Sequence, residues 1–185
     1  MAYHPHELGH VAFIIFLILC IIFTAVGTFT NSWAIFYYGY TNQGAGLYPW
    51  GKPDANLFFQ TRPAWWQCVI VTMLLGLSLE LLTLVCAFIS IILYRHHPIV
   101  YVVQLVASSL ITLCLLIGVM SWVLNLAQLW DYIDFSASSV SLGWSWGLSL
   151  VAAILAIAVP QVCQTQTSSD VDNSTTQKEL CCQLF

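Results

Sequence analysis

Residues 68–126 read CVIVTMLLGLSLELLTLVCAFISIIL, then YRHHP, then IVYVVQLVASSLITLCLLIGVMSWVLNL. Each apolar run exceeds the roughly 20 helical residues needed to cross about 30 Å of hydrocarbon. The connection between them, Tyr94-Arg95-His96-His97-Pro98, is so short that the two helices must pack as an antiparallel pair. Runs of the same kind lie nearer each end of the chain. The expected crossings are therefore 11–28, 67–93, 99–126 and 142–160, joined by segments 29–66, 94–98 and 127–141 and flanked by termini 1–10 and 161–185.

Composition agrees with this reading. Of 185 residues, 59% are hydrophobic and only 6% charged, and mean hydropathy is +0.84. A soluble domain carries about 25% charged residues, so this chain could not clothe a water-facing surface. With four Lys and Arg against eight Asp and Glu, it cannot build a surface that tracks phosphates, and nucleic acid is excluded as a partner. Membrane lipids are the expected surroundings. The N-terminal run reads as a retained helix, because Met1–His10 holds no Lys or Arg and no small-residue cleavage site follows.

An even number of crossings puts both termini on one side. Lys and Arg barely choose which, since Lys52 and Arg62 lie in the first loop and Arg95 and Lys178 on the opposite side. His96 and His97 beside Arg95, and the cysteines of the tail, favour cytosolic termini, with loops 29–66 and 127–141 extracellular.

The first loop is dense in aromatics. Ser32–Tyr40 reads as a strand, Asn42-Gln43-Gly44 as a turn, Gly46–Trp50 as a returning strand and Leu57–Gln60 as a short third one. The expected fold is an all-α membrane protein: a four-transmembrane-helix bundle carrying a small extracellular antiparallel β-sheet formed by loop one.

Three short motifs resemble the claudin, peripheral-myelin-protein and stargazin superfamily. Ser141-Leu142-Gly143-Trp144-Ser145-Trp146 is similar to the opening of its last helix, and Leu116-Ile117-Gly118-Val119-Met120-Ser121-Trp122 to the end of its third. Trp33 followed by Gly46-Leu47-Tyr48 resembles the claudin Trp and Gly-Leu-Trp signature, with Tyr48 in the final place. The resemblance covers residues 8–163 and makes Trp33, Gly46, Leu47, Tyr48 and Trp50 the candidate recognition residues of the outer sheet. It departs from the claudin pattern in more than Tyr48: the loop is shorter than is typical and the interval from Trp33 to Gly46-Leu47 is compressed. The two cysteines that join neighbouring strands in claudin first loops are missing here, because Cys20 is followed next by Cys68.

Inside the bundle, Glu80 lies midway along the second run, where an ionised carboxylate is costly. Thr72, Gly76 and Glu80 share one helical face, which turns Glu80 inward, and Gln104 of the third run is the expected donor. An ion or proton pathway is the competing reading, against which stands the lack of a second carboxylate or basic partner at that depth. Gly143 and Gly147 form a G-x-x-x-G pair, with Ala152 and Ala156 repeating the small spacing, suited to close helix packing within the bundle or between copies.

Other candidates carry less. His4, His6 and His10 invite a metal, and after loss of Met1 the Ala2-Tyr3-His4 amine, amides and imidazole suit Cu(II), but a solvated stub explains them as well. The chain offers no nucleophile beside a base, no paired carboxylates and no Gly-rich phosphate loop, so an enzyme, a cofactor and a metal site are not expected. Asn173-Ser174-Thr175 is a glycosylation sequon that a cytosolic tail would keep from the transferase. In that tail Cys163, Cys181 and Cys182 are candidates for palmitate, and Cys182-Gln183-Leu184-Phe185 matches a prenylation box. The ending is neither Tyr-Val nor Thr-x-x-Val, which argues against a PDZ scaffold.

The resemblance implies a plasma-membrane protein of cell junctions. In that reading the loops mediate adhesion or a paracellular barrier through homo-oligomers in cis or in trans. The alternative is an auxiliary subunit, similar to stargazin, that modulates or traffics a larger channel or receptor; a membrane-organising protein of the myelin type is a third. For a junctional protein, Asp131 and Asp134, three apart beyond Trp130, are the candidate cation-attracting pair at the outer rim, where an extension of the third helix would align them.

Overall fold

A computed structural model describes residues 5–38, 41–50, 55–93, 98–132 and 139–157. Helix α1 (Pro5–Phe29) leads into a hairpin of β1 (Ala34–Tyr38) and β2 (Thr41–Ala45); then come a short helix α2 (Ala55–Thr61), α3 (Ala64–Leu93) and α4 (Pro98–Leu124). A 3-10 turn (Ala127–Tyr132) and β3 (Ser139–Leu142) precede the last helix, α5 (Trp144–Ile157). Segments Val11–Phe29, Ala64–Ser90 and Val102–Leu124 are long and apolar enough to cross a membrane, and α5 is a shorter apolar helix.

The helices bury small and medium side chains inward, such as Ala87, Ile111, Leu115, Ala152 and Ala156. Leu82, Val102, Leu113 and Ile154 face outward. That inverted balance is what a helix needs when its solvent is lipid, because leucine gains nothing by leaving lipid and small residues let backbones approach.

The sheet sits at one end of the bundle in the order β2-β1-β3, antiparallel throughout. Three expectations about it are corrected. The second strand is Thr41–Ala45, so Asn42, Gln43 and Gly44 lie in the ladder opposite Tyr37, Phe36 and Ile35, and the chain reverses between Tyr38 and Thr41. Gly46–Trp50 is not the returning strand, because Leu47 is wholly buried in the aromatic core and its carbonyl is taken by Trp66. Residues 57–60 belong to α2 rather than to a strand. Two sequence features explain the helix: Asp54 is of the type preferred just before a helix start, and Pro63 ends the segment.

The third strand comes instead from the second loop. Ser141 and Leu142, expected to open the last helix, pair with Ile35 and Ala34. The two loops on this side are thereby stitched into one head. Its junction with α3 is closed by Gln67, whose Nε2 donates to the carbonyls of Phe59 (3.0 Å) and Arg62 (2.9 Å), occupying an acceptor that the end of α2 would otherwise leave open.

Candidate functional site

The head is organised by four tryptophans. Trp122, at the end of α4 and wholly buried, meets Trp33, Trp65 and Trp66 edge to face, with ring centroids 5.3, 5.8 and 5.1 Å away. Such pairs contribute about 0.5–1.5 kcal/mol each beyond the area they bury. Trp33 Nε1 donates to Gly27 O (2.6 Å) and Trp66 Nε1 to Leu47 O (2.8 Å). The backbone around Trp33 is shared in both directions: its N–H donates to Ala45 O (2.9 Å) and its carbonyl accepts from Gly143 (2.9 Å).

Each motif residue has a place in this assembly. A Cβ on Gly46 would press on the backbone of Asn31 and Thr30, so glycine is the residue that lets this strand exit cross the end of α1. Leu47 fills the core, and Tyr48 tilts against Trp50 at 4.7 Å. Trp50 meets Phe29 edge to face at 4.7 Å, and its Nε1 reaches Thr28 O at 3.2 Å. Above them opens a cavity of about 340 Å³, lined in part by Asn31, Gly44, Pro49 and Arg62. The Arg62 guanidinium lies 4.7 Å from the ring centre of Trp66.

Within the bundle, Glu80 is wholly buried. Its Oε1 accepts from Thr24 Oγ1 (2.8 Å) and Cys20 Sγ (3.1 Å) of α1, and its Oε2 has no partner among the described residues. Gln104, the expected donor, is buried, and neither of its amide atoms has a partner among the described residues. The register of the helix pair explains the miss. Gly76 faces Leu115 and Gly118 faces Met73, which puts Gln104 level with Ala87, about 10 Å along the axis from Glu80. Helical side chains lean toward their own N-termini, so in an antiparallel pair these two lean apart.

The Gly143 and Gly147 pair also divides, with Gly143 just before α5 and Gly147 within it. Gly143 is pressed against the Ser32 carbonyl, where no Cβ fits, while a Cβ on Gly147 would meet nothing. The close helix approach is made instead by Gly27 of α1 against Ser145 and Ser149 of α5. Thr30 Oγ1 and Ser145 Oγ share a hydrogen bond of 2.6 Å, and Cys20 Sγ also reaches Ala152 O at 3.2 Å. This Ser145-Ser149-Ala152-Ala156 stripe was half visible in the sequence, where the alanines stood out and the serines did not.

Asp131 lies in the 3-10 turn, which departs from the expected extension of the third helix; Asp134 is outside the described residues. Cys163, Cys181, Cys182, Lys52, Asp54, His4, His96 and His97 also lie outside them. Among the described residues Cys20, Cys68, Cys86 and Cys114 are free thiols, and no group of three or more His, Cys, Asp or Glu is placed to hold a metal. Sequence reasoning overlooked Trp122 as the hub, although it stood at the end of a quoted motif. It also overlooked Gln67, which no local signal marks.

No curated protein matches the chain closely enough to count as a relative. A family model described as tight junction protein, claudin-like, matches residues 1–165, which takes in every described helix and strand. With its sheet-bearing bundle of apolar helices, the chain belongs to the claudin-like family of tight junction proteins.

Proposed function

We propose that this claudin-like protein works at cell junctions of the plasma membrane. The sheet end faces the extracellular space and contacts further copies, in the same membrane or in the one opposite, to give adhesion or a selective paracellular barrier. The observation that supports this is the joint head. Because β3 of the second loop pairs with β1 of the first, the two loops form one surface. Such a surface loses little conformational freedom when it docks. Both termini are then cytosolic, with Cys163, Cys181 and Cys182 within reach of palmitoylating enzymes. Loop charges from Lys52 and Arg62 against Asp54, Asp131 and Asp134 nearly cancel, so selectivity falls to local groups such as the Asp131 and Asp134 pair.

Two differently coloured copies of the full chain, expressed in separate populations of junction-free cells and mixed, test this reading. Enrichment of both colours where expressing cells meet, and not where one meets a bare cell, is the expected result. Uniform distribution, together with co-purification of one large channel or receptor from native tissue, would replace it with the auxiliary-subunit reading.

A further inference from the structure

We draw no further inference here: the strongest candidate, the cavity of about 340 Å³ that Asn31, Gly44, Pro49 and Arg62 help to line at the sheet end of the bundle, belongs to the site already described, and nothing in the structure shows what covers it.

Discussion

Trp33 Nε1 donates to the carbonyl of Gly27 at 2.6 Å, across the bend where α1 gives way to the sheet. That carbonyl belongs to the last turn of a membrane helix, where acceptors lack intrahelical partners. The same ring rests on Trp122 of α4, so one side chain ties the first crossing, the sheet and the third crossing together.

Replacing Trp33 should therefore be costly. Removing a buried aromatic typically costs about 3–5 kcal/mol, and Trp33→Ala should abolish surface delivery, measured by biotinylation of intact cells. Trp33→Phe keeps the ring contact and loses the hydrogen bond, so an intermediate level is expected. Mild reduction should leave the wild type at the surface, because the described cysteines are all free thiols. Loss on reduction equal to that of Trp33→Ala would reveal a disulfide that holds the head.

Gly143, just before α5, and Gly147, within it, should differ sharply. Gly143→Ala drives a methyl into the Ser32 carbonyl and should lower the melting temperature of the detergent-solubilised protein markedly. Gly147→Ala enters open space and should be neutral or stabilising, by at most about 1 kcal/mol, the intrinsic advantage of alanine in a helix. Equal effects at both positions would mean that Gly147 packs against another copy.

Glu80 offers a test of charge against hydrogen bonding. Glu80→Gln retains an oxygen for Thr24 and Cys20, so folding and function should persist. Glu80→Leu strands the Thr24 hydroxyl and should lose about 1–2 kcal/mol of helix association. A functional defect in Glu80→Gln as large as in Glu80→Leu would point to a required charge and an ion-coupled role.

If the protein lines a paracellular path, Asp131→Asn with Asp134→Asn should shift dilution potentials of expressing monolayers away from cations without changing surface level. Unchanged selectivity would leave these aspartates as solvating groups of the loop.

An epitope placed after Phe185 should stain only permeabilised cells. Staining of intact cells, or glycan on Asn173, would invert the proposed topology.

The bundle was legible because its signal is long. Four apolar runs cannot be read as anything else, and the short link at residues 94–98 leaves one way to pair the middle two. The sheet was harder, because its strands are short and their polarity is set by what lies beyond them. Thr41-Asn42-Gln43-Gly44 looks like a turn by residue type, yet it serves as an edge strand whose Thr41, Gln43 and Gly44 are exposed. Leu57-Phe58-Phe59-Gln60 looks like a strand by side chain, yet it lies between an aspartate, a residue type favoured before helix starts, and a proline. The Glu80 and Gln104 pairing failed for a different reason. Periodicity gives the face a residue points to, but depth depends on the register between helices, which only the packing of Gly76 and Gly118 fixes.

The position of β3 has a consequence for biosynthesis. Its partner β1 leaves the ribosome about a hundred residues earlier, and the pairing of Ala34 with Leu142 must wait until the third crossing has been threaded and the last is emerging. Until then β1 has one unpaired edge, a row of amide and carbonyl groups open to chaperones or to another nascent chain. The sheet thus acts as a completion mark. A chain truncated before Ser139 would carry an open edge that quality control can read, while a chain extended through Leu142 closes it with its own third strand.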